Sequence, residues 1–357
     1  MSQSTDSEKL ALAVLSPSFD GKRFAIGKNA ETLQLHALAR LDGIIDDFSR
    51  PGERWRGTPL LPASELPIGA GVINCSTSIA PVSAARRVLS AAKQANVVSF
   101  CQLQQTVPDL LSLPFFVQDM NRDWEENEAE WKALRVALAE NESREVFDDV
   151  VRFRRTGSYV HMEAYCVRLQ EQYFDSACPL VAGDVFVDCG GFDGDTTEQF
   201  VQRCPSYKRI WLFEPAQKNM AKARHRLAGI RDINFVSKGL SNKSGTLGFN
   251  PGDGSASAVA EGGDARIVAT TIDEEIAEPV TFVKMDLEGW ELKALEGARG
   301  HIERDHPKLA IAVYHRASDF RNIWRYVFGI RSDYSVHLRH YTEGWSETIM
   351  YFVPRPA

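Results

Sequence analysis

The 357-residue chain reads as an α/β protein with two parallel-sheet units in tandem. Short apolar runs alternate with helical patterns of about 3.6-residue period twice along the chain, and a mostly helical stretch separates the two series. A third observation, a glycine turn rich in aspartate directly after an apolar run, marks where a ligand should sit. A composition of 44% hydrophobic and 25% charged residues is that of an ordinary globular chain and excludes extended disorder.

Net charge and cysteines narrow the function classes. A formal charge of -7 lacks the basic excess that a phosphate-neutralising surface requires, so no nucleic-acid partner is expected. The basic run Arg152, Arg154, Arg155 reads as a solvated helix face. The cysteines, at 75, 101, 166, 178, 189 and 204, form no C-x-x-C pair and no zinc spacing with histidine. Reduced thiols in a cytoplasmic protein are the simple expectation. The polar start "MSQSTDSEKL" and the short apolar run after it are not expected to act as a signal peptide, and no apolar stretch approaches the roughly 20 residues that span a bilayer.

Taken in order, "RFAIG" (23–27) predicts a strand, the leucines at 33, 35, 38 and 41 a helix, and "DGIIDD" (42–47) a second strand. The loop "RPGERWRGTPLLP" precedes a strand in "GVINCS" (71–76), a helix in "VSAARRVLSAAKQA" and a strand in "NVVSFCQL". Residues 1–106 thus form a small sheet of three or four parallel strands. "AIGKNAE" has a lone Gly27 in place of spaced glycines, so this domain is expected to be a degenerate nucleotide-binding fold used for acceptor docking or homo-oligomer formation. Residues 107–178 form a helical connector, clearest in "WEENEAEWKALRVALAE", "SREVFDDVVRFRR" and "MEAYCVRLQEQYF".

Residues 179–357 carry strands in regular order: 184–188, 209–214, 233–237, 280–286 and 308–315, with helices between most of them. A doubly wound parallel sheet is expected. "YSVHLRHY" and "TIMYFVP" are separated only by "TEGWSE", so the last strand should run antiparallel. The Gly/Ser-rich segment 251–264 reads as a long loop.

In such sheets ligands bind beyond the carboxyl ends of the strands. "FVDCGGFDGDTTEQF" (186–200) places Gly190, Gly191 and Gly194 there, with Asp188, Asp193, Asp195 and Thr196 around them. Glu214, 20 residues after Gly194, ends the next strand, where a carboxylate can accept both hydroxyls of a ribose. A pyrophosphate would meet the loop carboxylates, each pair at about 4 Å costing about 4 kcal/mol at an effective dielectric of 20. S-adenosyl-L-methionine carries a sulfonium and an ammonium and no phosphate, so the acidic turn favours it over NAD. Asp193 and Asp195 also suit the N-terminus of the following helix.

These segments resemble the FkbM-type methyltransferases, a branch of the S-adenosylmethionine-dependent class I fold. The resemblance covers about residues 170–353 and rests on the glycine turn, "FEPAQKN" (213–219), "VSKGLSNKSGTLGF" (236–249), "TTIDEEI" and "VKMDLEGWELKALEGA" (283–298). It implies a Rossmann-like class I methyltransferase domain, O-methylation of a sugar, glycan or natural-product hydroxyl, and donor contacts at the glycine turn and Glu214.

A sugar hydroxyl needs its proton removed as the new bond forms. His315 and Asp286 end neighbouring strands, so His315 is expected to be the base, with Asp286 orienting it, contacting the donor ammonium or sharing the base role. Ser237, at the end of the third strand, completes the expected donor shell. Glu288 and Glu291 read as residues of a helix first turn, and no metal is assigned, although Asp286 and Glu288 are the carboxylates a divalent ion would use. Trp290, Leu292, Leu295 and Ile302 should form a buried helix face, as should Phe320, Ile323, Trp324 and Val327. Trp345 is a candidate face for a sugar ring, and His337 and His340 are expected to be solvated on an edge strand. The competing functions are an NAD-dependent oxidoreductase and a non-catalytic sensor or scaffold that binds the donor.

Overall fold

The computed structural model describes residues 6–16, 19–92, 95–250, 258–259 and 265–356. The chain divides into two compact units, one comprising residues 1–122, 148–167 and 341–346, the other 123–147, 168–340 and 347–357. The helical stretch is therefore divided between them.

In the first unit a six-stranded sheet runs in the order Arg54–Trp55, Thr58–Leu61, Gly43–Ile45, Arg23–Ile26, Gly71–Asn74, Asn96–Ser99. All neighbours are parallel except the first pair, which is antiparallel. The sheet is larger than the three or four strands expected, because "RWRGTPLL" pairs in spite of Pro59, a residue that argues against a ladder position. The last strand stops at Ser99, short of the expected "FCQL". Ser99 caps a helix over Phe100–Thr106 with Gln102 in a reciprocal capping box, which turns the chain out of the sheet. Phe24, Ile26 and Val72 pack on one sheet face with Val88, and Ala25, Ile73 and Val98 pack on the other with Leu35 and Leu103.

One further expectation fails in this unit. Arg154 is completely buried and donates to the Trp345 carbonyl at 2.9 Å, so the basic run is not a uniformly solvated face. Trp345 is half-buried and packs against Phe115 (centroids 5.0 Å apart) and Phe116 in an apolar cluster.

The second unit is built on a seven-stranded sheet: β1 (Val185–Cys189), β2 (Arg209–Phe213), β3 (Ile233–Val236), β4 (Phe282–Met285), β5 (Lys308–Ala312), β6 (Tyr334–His340) and β7 (Thr348–Pro354). The order is β6-β7-β5-β4-β1-β2-β3, with β7 antiparallel to both neighbours and every other pair parallel. β1, β4 and β5 are buried along their whole length, as strands covered on both faces must be. Phe186 of β1, Phe282 of β4 and Phe200 of the helix Asp195–Arg203 form the aromatic centre, with 186 and 200 stacked at 4.2 Å.

A second, four-stranded sheet joins Gly239–Leu240, Gly245–Asn250, Ala258–Val259 and Ala265–Thr270. Apart from that short strand at 258–259, the expected loop 251–264 lies outside the described residues. The segment "MEAYCVRLQEQYF" is not a helix but holds only single turns at Tyr159–Met162 and Leu169–Glu171. Tertiary bonds replace the helical ladder there: Tyr173 has φ 70 and its N–H donates to the Tyr351 hydroxyl at 3.0 Å. His340 is buried beside Thr348, and His337 pairs with Glu140, so neither is a solvated edge residue. Among the described residues no helix is long and apolar enough to cross a membrane, and all six cysteines are free.

Candidate active site

The reversal of strand order between β1 and β4 opens a crevice at their carboxyl ends, where the two chains separate toward opposite sides of the sheet. Phe282 to Met285 pair with Phe186 to Cys189 in step, so Asp286 leaves β4 beside Gly190 leaving β1. Gly190 has φ 82, and a Cβ there would lie 2.0 Å from the Asp286 carbonyl oxygen, so only glycine fits. Gly194, φ 86, begins the helix Asp195–Arg203.

A cavity of about 420 Å³ lies above these ends. Its carboxyl groups are Asp195, Glu214, Asp286, Glu288 and Glu347, and its amines Lys238 and Lys284. Both lysines are already paired. Lys284 is buried, with its Nζ 3.0 Å from Asp188 and donating to the Gly190 carbonyl at 2.8 Å, and Lys238 meets Glu275 at 2.6 Å. Asp188 also accepts from the Thr197 hydroxyl at 2.7 Å. The lysine and its aspartate brace the glycine turn and leave the cavity acidic.

Glu214 accepts backbone N–H bonds from Phe192 (3.1 Å) and Ala216 (2.8 Å) and is also hydrogen-bonded by the Asn219 side chain, which together aim the carboxylate. Burial raises its pKa against those bonds. Burial likewise raises Asp195. At the other end Asp286 accepts from the Tyr173 hydroxyl at 2.6 Å and lies 3.4 Å from the Tyr314 hydroxyl. Burial, with Asp286 next, holds both phenols neutral far above their usual range.

Behind Asp286 stands His315. Its Nε2 is 3.4 Å from Asp286 and 3.5 Å from Glu288, and its Nδ1 is 3.2 Å from Glu291. Burial opposes its charge, yet Glu291, Asp286 and Glu288 together push the imidazole up to about 10. Burial, reinforced by Asp286 and Glu291, pushes Glu288 up to about 7. Glu347, whose carboxylate accepts from Gln172 at 2.6 Å, is pushed up to about 7 by burial and by Asp286.

Of the residues singled out from sequence, Gly190, Asp195, Thr196, Glu214, Asp286 and Glu288 line the cavity. Asp188, Gly191 and Gly194 are not on the wall, and Asp188 instead pairs with Lys284 and accepts from Thr197. Ser237 is not on the wall; the next three residues, Lys238 to Leu240, are. Asp193 turns away to Arg226 at 2.7 Å, drawn by a guanidinium that the adjacent helix supplies. His315 does not reach the wall, since Asp286 and Glu288 stand between. Trp290, expected in the core, lines the cavity, because the helix it was placed on starts only at Glu291. Glu288 accordingly lies in a turn, with φ 54. Sequence reading missed Tyr173, Tyr314 and Glu347, and gave Lys284 no role in the site although it lies in the motif 283–298. Tyr314 and Lys284 sit at or next to strand ends, where they could have been found.

Residues 188–339 match the family model of the methyltransferase FkbM domain. The structure is similar to that of the methyltransferase FkbM from Methylobacillus flagellatus KT, at 23% identity and a TM-score of 0.74 over 98% of this chain and 94% of that one. An rRNA methylase from Streptococcus thermophilus aligns at 16% identity and TM-score 0.35 over 50% of this chain and 90% of that one. A fibrillarin from Aeropyrum pernix aligns at 15% identity and TM-score 0.33 over 52% of this chain and 71% of that one. Curated protein sequences give no match. The fold is the Rossmann-like, mostly parallel α/β arrangement that this chain shares with the Methylobacillus flagellatus methyltransferase, and residues 188–339 match the FkbM methyltransferase domain.

Proposed function

We propose that this protein is an S-adenosyl-L-methionine-dependent O-methyltransferase acting on a hydroxyl of a sugar, glycan or glycosylated natural product. The observation that carries the reading is the charge of the cavity: five carboxyl groups face it, while both of its lysines are neutralised. That wall suits a sulfonium and an ammonium and repels a pyrophosphate. A volume of about 420 Å³ falls in the ordinary range for a small-molecule site. When bound, the donor supplies an activated methyl group to an aligned nucleophile.

The chain's own groups then divide the work. The remaining acceptor capacity of Glu214 takes a ribose hydroxyl, and the side-chain-free Gly190 allows close approach of the backbone. The amides of Gln170, Gln172 and Gln199 and the ring of Trp290 give a hydroxylated acceptor its polar contacts and an apolar face. Asp286, fixed by Tyr173, orients the acceptor hydroxyl. Proton acceptance belongs to a carboxylate on the wall, and Glu347 is our assignment. His315 acts from behind, as a positioning residue for Asp286 and Glu288.

Calorimetry of the full chain with S-adenosylhomocysteine, in parallel with NADH fluorescence titration, tests the donor. Heat with the first and no response with the second is expected; the reverse would overturn the proposal. Mass spectrometry of glycans incubated with isotopically labelled donor should then find a gain of one methyl.

A further inference from the structure

We infer that Asp286, Glu288 and His315 form a binding site for a divalent first-row cation at the inner end of the cavity. The site stands on geometry alone, while the function given to the cation rests on the methyltransferase reading.

One ligand atom from each of the three residues lies within 4.8 Å of the other two. The imidazole Nε2 is 3.4 Å from an Asp286 oxygen and 3.5 Å from a Glu288 oxygen. Two ligands about 2.1 Å from a common ion at a tetrahedral angle stand about 3.4 Å apart, so these spacings fit a shared centre. His315 is 9% exposed, and its Nε2, aimed between these two carboxylates, has no hydrogen-bond partner. A buried ring nitrogen left without a partner is costly unless a ligand completes it.

The surroundings fit as well. Glu291 stands 3.2 Å from Nδ1, where the outer-shell carboxylate of a metal-bound histidine stands. Its Oε1 is pinned by the N–H groups of Leu287 at 2.6 Å and Gly289 at 3.3 Å. Glu288 sits in left-handed backbone that a non-glycine residue adopts only under constraint, and this turn directs its carboxylate toward Nε2. Two carboxylates with one imidazole suit a cation such as Mn²⁺ better than Ca²⁺, which prefers oxygen alone. Asp286 and Glu288 line the cavity, so the remaining coordination positions face the acceptor. A hydroxyl bound there would release its proton more readily, as metal-bound water does, and Glu347 would receive it.

Equilibrium dialysis of chelator-treated full-length protein against Mn²⁺, read by electron paramagnetic resonance, tests the site. One ion per chain at micromolar concentration is expected. Glu288→Gln and His315→Gln should each weaken it at least tenfold, and Glu291→Gln about tenfold. Asp195→Asn, which removes a cavity carboxylate outside the cluster, should leave the affinity unchanged. Circular dichroism of each variant separates lost binding from lost folding. The inference is overturned if the wild type binds no Mn²⁺ below millimolar, or if Asp195→Asn weakens binding as much as Glu288→Gln. Calorimetry of the same preparation with S-adenosylhomocysteine keeps the two proposals apart: heat without Mn²⁺ binding sinks the cation site alone, and Mn²⁺ binding without heat sinks the donor reading alone.

Discussion

Lys284 and Asp188 form a fully buried ion pair whose other contacts are the Gly190 carbonyl and the Thr197 hydroxyl. Removing one member of such a pair leaves an uncompensated charge, so Lys284→Met should cost about 3–5 kcal/mol in urea unfolding, and adding Asp188→Asn should recover part of it. Glu347 carries the assignment of base. Asp286 raises its pKa, while Gln172, His315 and Tyr314 act to lower it, with burial the largest influence. Glu347→Gln should lower kcat about 10²- to 10⁴-fold and leave S-adenosylhomocysteine affinity within about threefold. Because a base works deprotonated, the wild-type rate should rise with pH through about 7, and the variant should lose that limb. An unchanged profile would remove Glu347 from the mechanism.

The helix Ala317–Ile330 shows how an element couples to the site. Its apolar stripe of Phe320, Ile323 and Val327 is completely buried, as the 3.6 spacing requires. At its start Asp319 accepts the Arg316 N–H at 2.9 Å, yet burial and then Glu291 push its carboxyl up to about 7. A folded-state pKa above the ordinary 3.8 favours the neutral form, so this contribution is full below about pH 4 and is lost as pH rises through 7. Thermal melts should therefore show Asp319→Asn gaining on the wild type between pH 4 and 8. A constant difference across that range would refute it. The strand elements follow from simpler rules: β1, β4 and β5 are continuous apolar runs because helices cover both sheet faces.

At the scale of the molecule, stability and donor binding are linked through the unit that holds the cavity. S-adenosylhomocysteine at about 100 times its Kd should add about 2.7 kcal/mol. That corresponds to about 5–10 °C in Tm by differential scanning fluorimetry. NADH at the same concentration should leave Tm unchanged, since its pyrophosphate would face Asp195 and Glu214. A shift with NADH alone would return the oxidoreductase reading to first place.

The amino-acid sequence determined the periodicities, and hence the positions of the seven strands, the antiparallel return of the last one, the glycine turn and the carboxylates at Glu214 and Asp286, because each depends on neighbours within a few residues. Only the tertiary structure decided which charges meet. Glu347 lies 61 residues beyond Asp286 in the chain, and it reaches the cavity because β7 runs antiparallel and so begins where β5 ends. Asp193 left the site, though it sits in the acidic turn, because Arg226 on a separate helix offered a nearer cation. His315 drew three carboxylates around it and sank behind two of them. Coulomb forces and desolvation act through space, and distance along the chain carries no record of them until the sheet has closed.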